Sequence, residues 1–367
     1  MSRFPSSQCG LPVLETHVVA MDNELMSSIS PTFMHPTLHL PISVILSRHP
    51  STLVPIIPTS NPLPLKETPL IMAIFNATPD SFSDGSPSRI NTATALASIA
   101  EILGSPHAPD ILDIGGMSTR PNSTPCSETE ELERVVPLIK AIRAKNDSDK
   151  WKRVVISIDT YRPTVARAAI EAGADIINDV HGGREEGMLE TMAELGVPVI
   201  LMHSRGDSTT MTHATSQEYP DGVVEGVKSE LAKTVEEAIK RGIRSWDIIT
   251  DPGIGFAKSG QQSVDLLRHV DQLSKLSIPG GAGGGLTYPM LVGASRKGFV
   301  GQIIGREEAG DRAWGDAVVN AFCSHSPPMG EHNEDYEQGA GVGILRVHDW
   351  RGARDSVKMA KALYSEQ

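Results

Sequence analysis

From residue 70 onward, short apolar runs alternate with longer segments of helical periodicity, and this alternation limits the possible folds more than any other feature. Eight runs of strand length occur over about 295 residues, which matches the number and size of the units in a (β/α)8 barrel. A doubly wound open sheet is the second architecture that fits. The eight runs are residues 70–76, 110–115, 154–159, 175–178, 198–202, 246–250, 289–293 and 341–347.

The segments between these runs carry helix signals. Ser127 and Glu130 form a capping-box pattern at the start of one apolar stripe, which continues to Ile142. Pro163 and Gly173 bracket another helix, because Pro favours the first turn and Gly favours the position after the last turn. Further helices are expected around Leu96–Leu103 and near residues 186–195, 222–242, 261–275, 311–324 and 351–364.

Residues 1–68 differ from the rest of the chain because they are rich in Pro and Ser. Repeated prolines exclude a sustained helix or a central strand. Only two arginines and no lysine precede Lys66, and acidic residues interrupt the early part, so a linker is favoured over a transit peptide. We therefore predict a poorly ordered arm over residues 1–68 and one barrel over residues 69–367.

The charge and cysteine content exclude several classes of partner. A net charge of -12 argues against a nucleic-acid or anionic membrane surface, so an anionic ligand would need a local basic cluster. The three cysteines, Cys9, Cys126 and Cys323, have no metal-binding spacing and are typical of a reducing compartment. No apolar run reaches the length of a transmembrane span.

Polar side chains follow all eight predicted strands, and in a barrel these positions face one common mouth. Carboxylates and an amide suit a heterocycle with several N–H donors, whereas basic side chains suit a phosphate. Taken singly, Asp159 and Asp251 could cap helices, His203 could be a core histidine, and Arg346 could form a rim ion pair with Asp349. The full set is Asn76; Ser118, Thr119 and Arg120; Asp159; Asn178 and Asp179; His203; Asp251; Ser295, Arg296 and Lys297; and Arg346, His348 and Asp349.

Some mechanisms are disfavoured by missing patterns. No GxSxG motif or Cys/His pairing lies near the strand ends, so a covalent mechanism is disfavoured. The HExxH pattern is absent too. One hydrated Mg²⁺ held through Asn76 and substrate phosphates stays open, because this ion takes most of its ligands from water and substrate.

Eight segments at the strand ends carry a combined signal: NATPDSFSDG (76–85), DIGGMSTRP (113–121), ISIDT (156–160), IINDV (176–180), LMH (201–203), DPGIGFAK (251–258), GASRKGFVG (293–301) and RVHD (346–349). Taken together, they resemble dihydropteroate synthase over about residues 68–365. The resemblance implies a (β/α)8 barrel that condenses 6-hydroxymethyl-7,8-dihydropterin diphosphate with p-aminobenzoate and releases pyrophosphate, and it implies a homodimer. From charge and hydropathy we expect no nucleic-acid or membrane partner, and the expected compartment is the cytoplasm, with the mitochondrion as the alternative.

The same resemblance implies a role for individual residues. Four of them, Asp159, Asp251, Lys297 and Arg346, would carry the catalytic chemistry. The loops 76–86 and 115–125 would close over the substrates, and Asn76 would also contact Mg²⁺. The implied sets are Asp159, Asn178, Met202, Asp251 and Lys297 for the pterin; Asn76, Arg120, Arg346 and His348 for the diphosphate; and Thr119, Pro121, Phe256 and Ser295 for p-aminobenzoate.

Two insertions and two alternative functions stay open at this point. The Gly-rich stretch 278–288 is predicted to be a flexible connection and the acidic stretch 324–338 an exposed loop. The first 68 residues could be a leftover inter-domain segment, and the roles of Asp80 and Asp84 are undetermined. A pterin-dependent methyltransferase and a catalytically silent pterin-binding protein are the competing functions.

Overall fold

The computed structural model describes residues 68–78, 91–118, 125–145, 150–151, 154–207, 210–276, 286–324 and 342–364. Eight parallel strands in these ranges close into a barrel. The predicted (β/α)8 barrel is therefore confirmed, and the open sheet is wrong. The strands are β1 (Leu70–Asn76), β2 (Ile111–Gly115), β3 (Val155–Asp159), β4 (Ile176–Asp179), β5 (Val199–Met202), β6 (Ile248–Asp251), β7 (Lys275–Leu276), β8 (Leu286–Thr287), β9 (Met290–Val292) and β10 (Val342–Val347). The barrel order is β1-β10-β9-β6-β5-β4-β3-β2, and β7 and β8 pair outside it.

Helices follow the strands and cover the outside of the barrel. The capping box at Ser127 and Glu130 is formed, and Gly173 ends its helix with φ 112°. The α-helices are α1 (Thr92–Gly104), α2 (Glu128–Ala144), α3 (Pro163–Ala172), α4 (Met188–Leu195), α5 (Val223–Lys240), α6 (Gly260–Arg268), α7 (Val270–Leu273), α8 (Gly298–Ile304), α9 (Ala313–Ser324) and α10 (Trp350–Tyr364).

Two details differ from the sequence prediction. The helix expected over 261–275 is broken at His269, where the backbone has φ -120° and ψ 28°. Its end passes into a short antiparallel ribbon of β7 (Lys275–Leu276) and β8 (Leu286–Thr287), which joins the two ends of the Gly-rich insertion. Helix α8 was not predicted, because GFVGQII carries two glycines and is only one to two turns long.

The strands have apolar residues on both faces at one end of the barrel and polar residues inside at the other. Inward-facing Ile111, Val155, Ile176, Ile249 and Ile344 belong to one buried apolar cluster inside the barrel. The side-chain period of two places the next inward positions at the carboxyl ends of the strands. The barrel thus has a closed apolar floor below a polar mouth.

Candidate active site

The carboxyl ends of neighbouring strands bring the predicted site residues to one level of the barrel. Asn76 pairs with Gly115, Gly115 pairs with Asp159, and Asp159 pairs with Asn178 across β1 to β4. Met202 pairs with Asp251 across β5 and β6. The register alone therefore places the predicted amide and carboxylate ligands around one mouth.

Arg346 reaches from β10 past β1 to side chains on β2 and β3. Its Nε donates to Asp113 Oδ2 at 2.6 Å, and its Nη2 donates to Asp159 Oδ2 at 2.6 Å. Asn178 Nδ2 donates to the same Asp113 oxygen at 3.1 Å. Asp113 was not assigned a role from sequence, yet it joins Asn178, a predicted pterin ligand, to Arg346, a predicted diphosphate ligand.

The second oxygens of the two carboxylates have no hydrogen-bond partner in the part of the chain that the structure describes. Asp113 Oδ1 and Asp159 Oδ1 are both buried and unsatisfied there. A buried acceptor without a partner costs free energy, which a ligand N–H recovers. Each of the two oxygens can therefore accept a hydrogen bond from a ligand that carries N–H donors.

The electrostatics of the pair favour a cationic or proton-rich ligand. Burial, opposed by Arg346 and assisted by the nearby Asp113 charge, raises the pKa of Asp159 to about 7. Burial alone would lower the pKa of Arg346, but Asp113 and Asp159 outweigh it and raise that pKa. A ligand that brings positive charge to Asp159 would stabilise its ionised form.

The other side of the mouth is formed by the loop after β6 and by Lys297. Asp251 Oδ1 accepts from Gly253 N at 2.7 Å, while Lys297 Nζ donates to the Ile254 carbonyl. The Lys297 ammonium also lies 4.3 Å from the centre of the Phe256 ring. Burial lowers the pKa of Lys297 to about 7, with Asp251 opposing the shift.

Ser295 and His348 form a third part of the site. Ser295 Oγ donates to Asp316 Oδ2 at 3.0 Å and accepts from His348 N at 3.2 Å. Asp316 also accepts from Arg296 N at 2.9 Å and so holds Arg296 at φ 60°. Asp316 lies on α9, and sequence reasoning missed it because it is remote from every strand end.

Two of the simpler interpretations can now be decided. His203 is a buried core histidine with both ring nitrogens partnered, as that interpretation predicted. The rim ion pair of Arg346 with Asp349 is wrong, because Arg346 turns inward and Asp349 Oδ1 accepts from Arg351 N and Gly352 N in the first turn of α10.

Some predicted features lie outside the described residues. These are Thr119, Arg120 and Pro121, most of the two covering loops with Asp80 and Asp84, the N-terminal arm, and most of both insertions. Within the described ranges, no group of three or more His, Cys, Asp or Glu side chains could hold a metal ion. None of the helices in these ranges is long and apolar enough to cross a membrane.

Residues 72–327 match the family model described as "Pterin binding enzyme". The chain is 38% identical over 338 residues to a Schizosaccharomyces pombe folic acid synthesis protein, covering 92% of this chain but only 42% of that longer protein. It is 37% identical to a dihydropteroate synthase of Synechocystis, covering 83% of this chain and 95% of that one. A similar structure is dihydropteroate synthase from Xanthomonas albilineans in complex with 7,8-dihydropteroate, with a TM-score of 0.64, 32% identity, and coverage of 84% of this chain and 98% of that one.

Proposed function

The chain belongs to the pterin-binding enzyme family, and we propose that it is a dihydropteroate synthase. It would condense 6-hydroxymethyl-7,8-dihydropterin diphosphate with p-aminobenzoate, forming 7,8-dihydropteroate and pyrophosphate in folate biosynthesis. The observation that carries the proposal is the Asp113–Arg346–Asp159 cluster at the mouth. It would present to a ring two buried carboxylate oxygens that have no partner among the described residues, and it would present a guanidinium to an anion on the same molecule.

The pterin is assigned to the carboxylate side of the mouth. Asp159, Asn178 and Asp251 would contact the amino-pyrimidine edge, with Asp113 as an added acceptor beside Asn178. Met202, at the end of β5 and buried, would pack against the ring, and Lys297 would lie on the opposite side. Ionised carboxylates here stabilise the cationic pterin that forms as the CH₂–O bond to the diphosphate breaks.

The diphosphate is assigned to Asn76, Arg120, Arg346 and His348. A guanidinium has five N–H donors, so Arg346 can hold two carboxylates and still donate to a bound anion. Asn76 offers a carboxamide oxygen at the end of β1, which suits Mg²⁺ that takes its other ligands from water and the diphosphate. When bound, this ion would neutralise charge on the departing pyrophosphate.

p-Aminobenzoate is assigned to Thr119, Pro121, Phe256 and Ser295. Of these, Phe256 lies under the Lys297 ammonium, so one wall of this pocket adjoins the pterin side. The Ser295 hydroxyl is engaged by Asp316 and His348, and it would therefore shape the pocket more than it binds the substrate. The protein would orient the amine nitrogen towards the pterin CH₂ and exclude water, which can contribute about 7 to 11 kcal/mol.

A two-substrate assay tests the function. The purified protein is incubated with the pterin diphosphate, p-aminobenzoate and Mg²⁺, and pyrophosphate release is measured. We expect release that requires both organic substrates. A methyltransferase or a silent pterin-binding protein would bind the pterin without releasing pyrophosphate, and that result would refute the proposal.

A homodimer is the proposed assembly. Apolar side chains are exposed on α8, α9 and α10, which lie side by side on the barrel surface. Trp314 and Val318, one helical turn apart on α9, are 84% and 71% exposed. Such a patch marks an interaction surface. Light scattering should give a dimer for the wild type and a monomer for Trp314→Glu/Val318→Glu. The control Ala97→Glu, at an exposed position of α1, should stay dimeric. A monomeric wild type would refute the proposed dimer.

The proposed compartment is the cytoplasm, with the mitochondrion as the alternative. Cys126 and Cys323 are both free thiols, which fits a reducing compartment. Fractionation of cells that express the full chain would test this, and recovery in a secreted fraction would contradict it.

A further inference from the structure

Beside the loops that follow β5 and β6 lies a hydrogen-bonded chain of side chains that the proposed chemistry does not use. Lys258 Nζ lies 3.0 Å from His203 Nδ1, and His203 Nε2 lies 3.0 Å from Glu230 Oε2. Arg205 completes the chain at its outer end, with Nε 3.0 Å from the same Glu230 oxygen. Lys258 and His203 are 6% and 5% exposed, so the chain runs from the partly exposed Glu230 into the interior.

The inner end of this chain reaches the loop that carries Phe256. Lys258 Nζ also donates to the Phe256 carbonyl at 2.8 Å, so the side chain folds back onto the residue two positions before it. The intervening Ala257 has φ 51°, in the left-handed region that costs a non-glycine residue free energy, and this bond spans it. Tyr219 adds a second restraint, because its hydroxyl donates to the Ala257 carbonyl at 3.3 Å.

The roles of the donors are fixed by the chemistry of the three groups. The Glu230 carboxylate can only accept, so His203 Nε2–H donates to it and the unprotonated Nδ1 accepts from Lys258 Nζ. Burial lowers the pKa of Lys258 well below its usual value, and even the neutral amine keeps two N–H donors, one for His203 and one for the Phe256 carbonyl. Burial and the nearby Lys258 lower the pKa of His203 to about 4, which keeps the ring neutral. Burial alone would raise the pKa of Glu230, but the bonds from His203 and Arg205 lower it to about 2, so its carboxylate remains the acceptor.

We propose that Lys258, held by His203 and Glu230, is a positioning residue that stabilises the left-handed turn at Ala257 and so fixes the Phe256 ring at the p-aminobenzoate side of the mouth. Phe256 is also under the Lys297 ammonium, so its position couples the two substrate sides. The effect on p-aminobenzoate rests on the proposed function, whereas the effect on the loop does not. Lys258 itself does not need to touch either substrate.

Lys258→Met tests the proposal, because Met keeps the length of the buried side chain and removes its donors. We expect KM for p-aminobenzoate to rise about tenfold, because losing the hydrogen bond to the Phe256 carbonyl costs about 1.4 kcal/mol. The dissociation constant for the pterin should change less than twofold. Lys233→Met on the exposed face of α5 is the matched control and should match the wild type.

Rescue separates positioning from a general loss of stability. Gly adopts the left-handed turn without strain, so Lys258→Met/Ala257→Gly should recover most of the lost affinity for p-aminobenzoate. Equal losses for both substrates, or no recovery in the double variant, would overturn the proposal. Tyr219→Phe provides a milder change if Lys258→Met fails to fold, and it should raise the same KM by a smaller factor.

Amide hydrogen exchange gives a readout that does not depend on turnover. Exchange in a peptide spanning 252–258 should speed up at least severalfold in Lys258→Met, with peptides from α1 and α2 unchanged. Unchanged exchange in that loop would overturn the inference. If the wild type releases no pyrophosphate and Lys258→Met still shows the faster loop exchange, only the proposed function is refuted.

Discussion

Asp113→Asn is the perturbation that most sharply tests how the mouth works. The Asp113 side chain is fully buried and shares one oxygen between Arg346, at 2.6 Å, and Asn178, at 3.1 Å. Asn keeps the shape and one acceptor but removes the charge. A hydrogen bond to a charged group contributes about 2 kcal/mol, so kcat/KM for the pterin diphosphate should fall about 30-fold.

The same change should alter the pH dependence in a defined direction. In the wild type, kcat/KM should fall below about pH 7 as Asp159 becomes protonated and should fall above about pH 7 as Lys297 loses its proton. The Asp113 charge contributes to raising the pKa of Asp159. Its removal should therefore move the acid limb of the profile to lower pH and leave the alkaline limb in place.

The assay is pyrophosphate release at saturating p-aminobenzoate over about pH 5 to 9, a range that covers the acid and alkaline limbs of the profile. Asp110→Asn is a matched control at the opposite end of β2, where Asp110 binds Ile71 N and Arg354. It should leave the pH profile unchanged. A slower Asp113→Asn enzyme with an unmoved acid limb would refute the coupling of Asp113 to Asp159.

Three further changes have defined outcomes. Arg346→Ala should weaken binding of the pterin diphosphate more than of a pterin without phosphate, and equal losses in calorimetry would contradict its role. Gly253→Ala should destabilise the fold by about 3 kcal/mol, because φ is 65° and a Cβ would lie 1.9 Å from the His203 carbonyl oxygen; an unchanged urea midpoint would be inconsistent with this backbone. Ser127→Ala should cost about 1 kcal/mol in urea unfolding by removing the cap of α2, without affecting kcat.

The fold was predictable because each strand and helix signal is local. The eight apolar runs lie within two residues of the observed strand starts, and the capping box at Ser127 begins α2 as expected. The break at His269 was not predictable, because the apolar periodicity continues through it. The division of the chain at residue 68 stays a prediction, because residues 1–67 lie outside the described ranges.

The site was predictable only where a polar residue ends a strand. Asp159, Asn178 and Asp251 were found in this way. Asp113 was missed because it lies two residues inside β2, although the inward-facing Ile111 two positions earlier places it inside the barrel. Asp316 had no local signal at all, since its role depends on the packing of α9 against the loop after β9.

The most direct test of the account is the stoichiometry of the two products in Asp159→Asn and the wild type. Chromatography should show one dihydropteroate for each pyrophosphate in the wild type. In Asp159→Asn, we expect both products to fall about a hundredfold together with retained thermal stability, because the carboxylate that stabilises the cationic pterin is gone. Pyrophosphate without dihydropteroate in the wild type, or near-normal turnover in Asp159→Asn, would contradict the account.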